Sequence, residues 1–393
     1  MSPTAGDGIS ASVTGPAGFE AAGVRAGLKA SGNPDLALVV NRGPLTSAAA
    51  VFTGNRAQAN PIIWSKQVIA DGEVRAIVLN SGGANCFTGS QGFQTTHATA
   101  EAVASELGVS AGDVLVCSTG LIGEQLPVDK LTAGVTAAVA ALSTDGGMDA
   151  ASAIITTDTH AKTAVVARTG WSLGGMAKGA GMLAPGLATM LVVITTDAAL
   201  DSPALDSALR AAARISFDRL DSDGCMSTND QVTLLASGAS GITPSTEEFT
   251  EALNELTLDL ARQLQSDAEG ASHDIAIEVV NAATEDDAVE VGRSVARNNL
   301  FKAAVFGNDP NWGRVLAAIG TTRAPFDPYA VDVSMNGVRV CSNGAPDRPR
   351  DEVDLTPRAV HVLIDLKAGD ATATILTNDL THEYVHENSA YAS

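Results

Sequence analysis

Positive charge, aromatic side chains, cysteine and long apolar runs are all scarce in this 393-residue sequence. With 24 lysines and arginines against 45 aspartates and glutamates, the formal net charge is −21. A surface of that sign repels nucleic acids and anionic membranes. No uninterrupted apolar run reaches the roughly 18 residues that a membrane-spanning helix needs, and the first basic residue is Arg25, so no secretory signal is expected. We therefore expect neither a nucleic-acid partner nor a membrane partner.

Only four cysteines are present, and they lie far apart with no C-x-x-C spacing: Cys86, Cys117, Cys225 and Cys341. Such spacing fits neither a disulfide framework nor a zinc site built from paired cysteines. Reduced thiols are typical of the cytoplasm. We therefore expect a cytoplasmic protein without disulfide bonds.

Aromatic residues make up 4% of the chain and apolar residues 45%, which indicates a globular protein whose cores are built from small and branched side chains. The length suggests two or three domains. Short apolar runs alternate with helical patterns, which predicts an α/β (α+β) fold. Strands are predicted at 36–40, 74–80, 113–117, 189–195, 231–236 and 275–279, with a strand end at 154–159. Helices are predicted at 95–107, 130–142, 203–220, 245–270 and 284–299.

A smaller C-terminal α/β domain is expected to follow a larger one, with residues 1–275 forming a catalytic domain and residues 276–393 the second domain. Asn336-Gly337 between two short apolar runs predicts a β-hairpin. A second hairpin is predicted from 360–366 and 371–376, around Gly369.

The stretch from Lys178 to Ile194 joins a Gly-rich loop to a β-branched apolar run, and the join falls at Ala188-Thr189. A threonine hydroxyl is a weak nucleophile that needs an adjacent base. Cleavage of the Ala188–Thr189 bond would free the Thr189 α-amine, a group with an ordinary pKa of about 7.7–8.0, to be that base. On this pattern Thr189 is either an N-terminal nucleophile or a threonine that merely begins a strand.

Two loops of small residues follow predicted strands, at Asn80–Asn85 and Ser118–Gly123. Glycines at 120 and 123 would let the backbone approach a bound group, although plain turns have the same composition. Lys178 could neutralise a substrate carboxylate or simply be solvated.

His382-Glu383-Tyr384-Val385-His386 matches the H-E-x-x-H motif of zinc peptidases. A catalytic zinc needs a third protein ligand, and only seven residues follow His386. We interpret the match as coincidental and expect no metal, with a metallohydrolase as the weakest alternative.

Several motifs together resemble the ornithine acetyltransferase family, the glutamate N-acetyltransferases of cyclic arginine biosynthesis. The strongest resembles the self-cleavage motif of that family and runs from Gly174 to Met190. The others occur in family order: Asn80–Asn85, Ser118–Gly123, Thr156-Thr157-Asp158, Ser227–Asp230, Asp309–Arg314 and Glu387-Asn388-Ser389-Ala390-Tyr391. The resemblance implies a layered αββα-type catalytic domain and a C-terminal tail that contributes to the site.

The resemblance also implies self-cleavage between Ala188 and Thr189, giving an α chain of residues 1–188 and a β chain from 189, assembled as α2β2. Thr189 would take the acetyl group of N2-acetylornithine and pass it to glutamate, without a cofactor. The oxyanion hole of the family maps onto Thr119 and Gly120. Its substrate contacts map onto Thr157, Lys178, Thr189, Glu269, Asn388 and Ser393.

Some positions depart from the family pattern: Gly83 stands where asparagine is expected, Phe87 where a small residue is expected, and Cys225-Met226 where Asp-Thr is expected. The family includes members that also use acetyl-CoA, and the sequence does not separate the two kinds. An amidase or aminopeptidase with the same self-cleaved threonine is the main alternative. A non-catalytic binding protein with an uncut chain is another.

Overall fold

The computed structural model describes residues 12–184 and 190–390. The strands are β1 Phe19–Val24, β2 Leu36–Asn41, β3 Ala48–Phe52, β4 Ala76–Asn80, β5 Val114–Ser118, β6 Lys162–Arg168, β7 Trp171–Lys178, β8 Leu191–Thr196, β9 Gln231–Ala236, β10 Asp274–Ala282, β11 Asp332–Met335, β12 Val338–Ser342, β13 Ala345–Pro346, β14 Ala359–Asp365 and β15 Ala371–Asn378. The helices are α1 Asn60–Val68, α2 Gly89–Leu107, α3 Val128–Ala140, α4 Gly147–Ala153, α5 Ser202–Ile215, α6 Thr246–Ser266, α7 Glu285–Ala296, α8 Asn299–Phe306, α9 Trp312–Ile319 and α10 His382–Ala390.

Two compact units divide the described residues. The first holds 12–180, 190–217 and 226–264, and the second holds 181–184, 218–225 and 265–390. The functional division into 1–275 and 276–393 stays a prediction.

The first unit is a four-layer arrangement of helices and sheets. One sheet has the order β1-β2-β4-β5 and the other β3-β9-β8-β7-β6. Their facing sides share one apolar cluster, in which Ile77 and Leu79 of the first sheet pack with Met176 and Val193 of the second. Helices α2 and α3 pack their apolar faces on the outer side of the first sheet. The α/β fold and its αββα layering are therefore confirmed.

Helix α6 covers the second sheet of this unit. The Ser245 hydroxyl accepts the Glu248 N–H at 3.1 Å, as its sequence pattern predicts. Leu256 and Leu260 reach Gly175 of β7 so closely that a Cβ there would lie 3.1 and 3.0 Å from their methyl groups. Glycine at 175 therefore lets the helix approach the sheet that ends at Lys178.

The second unit contains a six-stranded sheet of order β13-β12-β11-β14-β10-β15. The β11–β12 hairpin is confirmed, with positive φ at both Asn336 and Gly337. The predicted hairpin around Gly369 is wrong, because β10 lies between β14 and β15, parallel to the first and antiparallel to the second. Gly369 instead donates its N–H to the Asn281 carbonyl at the end of β10.

The strand end predicted at 154–159 is also wrong, because this segment follows helix α4 and forms bends. Its two isoleucines and three threonines favour a strand by composition. Hydrogen bonds to a buried carboxylate, described below, determine the backbone there instead.

Candidate active site

The cleavage motif begins within β7 and ends at Met190, just before β8, and the strand predicted after the junction is confirmed over Leu191–Thr196. Ala188, Thr189 and Ser393 lie outside the described residues. The flanking Met190 is fully buried, and its N–H donates to the Asp230 carboxyl group at 3.2 Å. Chain connectivity therefore links the predicted nucleophile to a buried, hydrogen-bonded residue.

Lys178 is a buried cation at the end of β7, with 1% of its surface exposed. Its Nζ lies 3.4 Å from the Thr119 hydroxyl and 3.9 Å from Asp158 Oδ2. Thr157 precedes Asp158 in the chain and is half-buried. Three of the residues predicted for the site, Thr119, Thr157 and Lys178, are thus brought to one region of the first unit, and the solvated alternative for Lys178 is wrong.

The Asp158 carboxylate accepts the hydrogen bonds that connect this region. Its Oδ1 accepts hydrogen bonds from the Lys162 ammonium and the Gly179 N–H, both at 2.6 Å, and Oδ2 accepts the Thr156 N–H at 2.9 Å. Burial acts to raise the pKa of Asp158. The charges of Lys178 and Lys162, together with the hydrogen bonds from Lys162 and Thr156, lower it by more than burial raises it, so the pKa lies below its usual range. The carboxylate is therefore ionised and fixes both the loop before it and the end of β7.

The predicted oxyanion loop follows β5. The Thr119 N–H donates to the Asn80 carbonyl, and the Thr119 carbonyl accepts the Gly83 N–H, both at 2.9 Å. Gly120 has a φ of +130°, and a Cβ there would lie 2.7 Å from the Gly83 nitrogen. Only glycine fits this position. At Gly83 itself a Cβ would lie 2.9 Å from the Leu126 side chain, so the departure from the family pattern suits its close packing.

Asn229 ties the loops of the first unit together. Its side-chain amide donates to the Ala84 carbonyl at 2.6 Å and to the Ser118 carbonyl at 2.9 Å. The sequence motif Ser227–Asp230 pointed to this segment without giving a role to any of its members. The sequence analysis likewise assigned no role to Asp158 or Lys162. The available signal for this pair was an aspartate between two threonines, followed four residues later by a lysine.

In the second unit, Glu269 and Asn388 are brought together. The Asn388 side-chain amide donates to Glu269 Oε2 at 2.9 Å. A Cβ at position 181 would lie 2.4 Å from the same oxygen, so glycine at 181 leaves room for the carboxylate. The loop after Gly181 is held by the Met182 N–H, which donates to Asp223 at 2.7 Å, and by the Ser222 N–H, which donates to the Leu183 carbonyl at 2.6 Å.

A buried lysine lies near this loop, within the second unit. Lys302 lines a cavity with Asp223, Arg297 and Tyr384, and its ammonium donates to the Ser222 carbonyl. Burial lowers its pKa to about 8, against the opposing charges of Asp223 and Asp221. The departures Phe87 and Cys225 are both exposed.

His382 and His386 both lie on α10, and the His382 ring packs edge-on against Phe306 at 5.5 Å between centroids. Within residues 12–184 and 190–390, no group of three histidine, cysteine, aspartate or glutamate side chains is placed to hold a metal ion. In the same ranges, no helix has both the length and the apolar character for crossing a bilayer.

Comparison with known proteins decides the family. The model of the ArgJ family matches residues 20–393. The chain is 65% identical over 382 residues to the arginine biosynthesis bifunctional protein ArgJ of Streptomyces coelicolor, covering 97% of this chain and 100% of that protein. The chain belongs to the ArgJ family. Its expected membership, and with it the expected acyltransferase of arginine biosynthesis, is confirmed.

One further relative and one solved structure are also similar to this chain. The ArgJ protein of Thermobifida fusca is 60% identical over 382 residues, with 97% of this chain and 100% of that protein covered. The crystal structure of ornithine acetyltransferase complexed with ornithine from Mycobacterium tuberculosis is 53% identical, covering 46% of this chain and 97% of that chain, at a TM-score of 0.45.

Proposed function

We propose that this ArgJ-family chain cleaves itself between Ala188 and Thr189 and then transfers acetyl groups from N2-acetylornithine to glutamate through an ester on Thr189. The observation that carries the proposal is the buried Lys178 ammonium 3.4 Å from the Thr119 hydroxyl. A cation and a hydroxyl donor side by side at the end of β7 suit both a carboxylated substrate and a developing oxyanion.

In the first half-reaction, the Thr189 hydroxyl attacks the acetyl carbonyl carbon and gives its proton to the Thr189 α-amine. The oxyanion accepts hydrogen bonds from the Thr119 hydroxyl and the Gly120 N–H. The Thr119 N–H is already donated to Asn80, so the hydroxyl is the donor that Thr119 can supply. The C–N bond then breaks, the ornithine nitrogen takes the proton, and the acetyl group stays on Thr189.

In the second half-reaction, the amine of glutamate attacks the acetyl ester, and the same donors hold the second oxyanion. The ester C–O bond breaks and Thr189 recovers its hydroxyl proton. Losing one oxyanion donor typically costs about 2.7–4 kcal/mol of barrier. Water must be kept from the ester, because otherwise the enzyme becomes an amidase.

The substrate contacts are assigned as the family resemblance implies. Lys178 and Thr157 would hold the α-carboxylate, and Glu269, next to Asn388, would hold the substrate ammonium. Ser393 would complete the contacts from the C-terminal tail.

Assembly and donor range belong to the same proposal. We expect the two chains to form an α2β2 assembly in the cytoplasm, with N2-acetylornithine as a donor. Acetyl-CoA as a second donor is tested by supplying it with glutamate and assaying for N-acetylglutamate.

The test uses the purified protein and its Thr189→Ala variant. Incubation with N2-acetylornithine and no acceptor should place an acetyl group on the fragment that begins at Thr189, detected by mass spectrometry, and glutamate should remove it. Thr189→Ala should remain one uncut, inactive chain. Full turnover by an uncut chain would sink the proposal, and amide hydrolysis that needs no glutamate would favour the amidase.

A further inference from the structure

We infer that Asp230 is the positioning and proton-relay residue for cleavage of the Ala188–Thr189 bond. This inference rests on the proposed function, because it assigns a residue to the self-cleavage that the function requires. Asp230 belongs to the Ser227–Asp230 motif, whose role the sequence left open.

The position of Asp230 follows from the register of two strands. β8 and β9 are parallel, with Leu191 opposite Gln231. Asp230 precedes β9 as Met190 precedes β8, and Asp230 Oδ1 accepts the Met190 N–H at 3.2 Å. The backbone of Asp230 is fixed from its other side, because its carbonyl accepts the Thr53 N–H at 3.0 Å. Covalent geometry places the Cα atoms of Met190 and Thr189 about 3.8 Å apart, so this carboxyl is held one residue from the bond to be cut.

Asp230 is fully buried, and its second oxygen is unusual. Within the part of the chain that the structure describes, Oδ2 makes no hydrogen bond. A buried carboxyl oxygen without a partner costs free energy and calls for an explanation. A proton that this oxygen gives and takes during cleavage supplies one.

The protonation of Asp230 agrees with that role. Burial raises the pKa of Asp230 well above its usual value, and the nearby Ser227 hydroxyl, the Met190 N–H, the Lys178 charge and the Thr53 hydroxyl offset the shift only in part. This direction favours the protonated carboxyl, which can donate a proton where an ionised carboxylate could not.

Cleavage then balances as follows. The Thr189 hydroxyl oxygen bonds to the Ala188 carbonyl carbon, and the C–N bond between Ala188 and Thr189 breaks. Asp230 gives its proton to the departing nitrogen and takes the proton that the hydroxyl loses, so it ends as it began. Water hydrolyses the resulting ester, leaving a carboxylate on Ala188, a free hydroxyl on Thr189 and one released proton.

Asp197 provides a matched control. It is also a buried aspartate of the first unit, but it follows the opposite end of β8 and both of its oxygens are used. Oδ1 accepts the Ser172 N–H at 2.7 Å, and Oδ2 accepts the Ala17 N–H at 3.1 Å and the Ser172 hydroxyl at 3.2 Å. Asp197→Asn therefore removes a buried carboxylate without touching the junction.

The experiment compares the natural chain with Asp230→Asn, Asp230→Glu and Asp197→Asn, following the uncut chain over time by denaturing electrophoresis and intact mass, with circular dichroism as the check of folding. Removing a proton-transfer group typically slows a step by roughly 10²–10⁴-fold. We expect Asp230→Asn to fold and be cut at least about 100-fold more slowly. Asp230→Glu, which keeps an acid, should be cut faster than Asp230→Asn, and Asp197→Asn should be cut like the natural chain.

Cutting of Asp230→Asn within about tenfold of the natural rate would overturn the inference and leave the proposed function standing. A folded Asp230→Glu that is no faster than Asp230→Asn would also overturn it, because a carboxyl proton would then be irrelevant. If Asp230→Asn is recovered unfolded, the Asp230→Glu variant decides. Cleavage of Asp230→Glu supports the inference, and a folded Asp230→Glu chain that stays uncut overturns it. If the natural chain is never cut, the proposed function fails and this inference with it.

Discussion

Each unit of this chain buries lysine beside carboxylates, and the two arrangements are not equivalent. In the first unit, the Lys162 ammonium contacts Asp158 directly at 2.6 Å, with Lys178 at 3.9 Å. In the second unit, the Lys302 ammonium instead contacts a backbone carbonyl and lies 3.5 Å from the Thr377 hydroxyl, with Asp221 and Asp223 acting on it through longer-range charge.

The pKa shifts of the buried carboxyl groups also differ between the two units. Two cations hold the pKa of Asp158 below its usual range despite burial. Burial instead raises the pKa values of Asp221 and Asp223 and lowers that of Lys302 to about 8. Two lysines and the hydrogen bonds from Lys162 and Thr156 thus outweigh burial at Asp158, whereas at Asp221 burial outweighs even a 2.8 Å contact with Arg297. In the first unit an ionised carboxylate therefore lies 3.9 Å from the Lys178 ammonium, which itself lies 3.4 Å from the Thr119 hydroxyl.

Replacing Lys162 tests the direct contact most severely. Lys162→Met leaves Asp158 buried with its nearest cation removed, which typically costs about 3–5 kcal/mol of unfolding free energy. Urea unfolding should show this loss. Lys130→Met, which removes an exposed lysine, should change stability by less than about 0.5 kcal/mol. If Lys162→Met also lost less than about 0.5 kcal/mol of unfolding free energy, the Lys162–Asp158 pair would not contribute to the stability of the first unit.

Replacing Lys178 should separate binding from stability. Lys178→Met removes a charged partner that is 3.9 Å from Asp158, so we expect the melting temperature to fall less than in Lys162→Met. A charge-assisted hydrogen bond to a substrate is worth about 1.5–3 kcal/mol, so kcat/KM for acetyl transfer should fall roughly 10- to 150-fold. Unfolding as severe as that of Lys162→Met, with unchanged kinetics in the folded fraction, would make Lys178 a structural residue only.

Lys302 should make stability depend on pH above neutrality. Its pKa is lower in the folded chain, about 8, than its ordinary value of 10.5. Between these values the unfolded state binds the extra proton, so this group adds stability as pH rises, by at most about 1.4 kcal/mol per pH unit. Unfolding should be measured at pH 7, 8, 9 and 10 for the natural chain and Lys302→Met. Any stability advantage of the variant should shrink as pH rises, and a constant difference would contradict the assigned pKa.

The sequence predicted the elements well where one pattern dominates. The apolar run after residue 189, the capped helix begun by Ser245 and the Asn336-Gly337 turn all form as expected. Non-local partners decided the two errors. Nothing local to 360–376 shows that β10, some 80 residues earlier, inserts between the two strands. In Ile154–Thr159, hydrogen bonds to the Asp158 carboxylate determine the backbone, whereas the β-branched composition favours a strand.

The family motifs named residues for the candidate site, and their roles stay predictions; the energetics of the site could not be predicted from the sequence. Family motifs indicated Thr119, Lys178, Glu269 and Asn388, and the structure brings Thr119 to Lys178 and Glu269 to Asn388. The sequence could not show that Lys162 neutralises Asp158 or that Asp230 is wholly buried, because desolvation depends on how sheets and loops pack around a side chain. Those residues therefore emerged only from the fold.

The smallest effect is expected at an exposed ion pair, which isolates burial from distance. Arg210 contacts Asp206 at 2.8 Å on α5, nearly as close as Lys162 to Asp158, but the two side chains are 63% and 45% exposed. Solvent screens such a pair, and pairs four residues apart on a helix contribute about 0.3–0.5 kcal/mol. Arg210→Gln should therefore shift urea unfolding barely beyond error, even at low salt. A loss above about 1.5 kcal/mol would show that contact distance, rather than burial, determines the cost at Lys162, and the contrast between the two units would then need another cause.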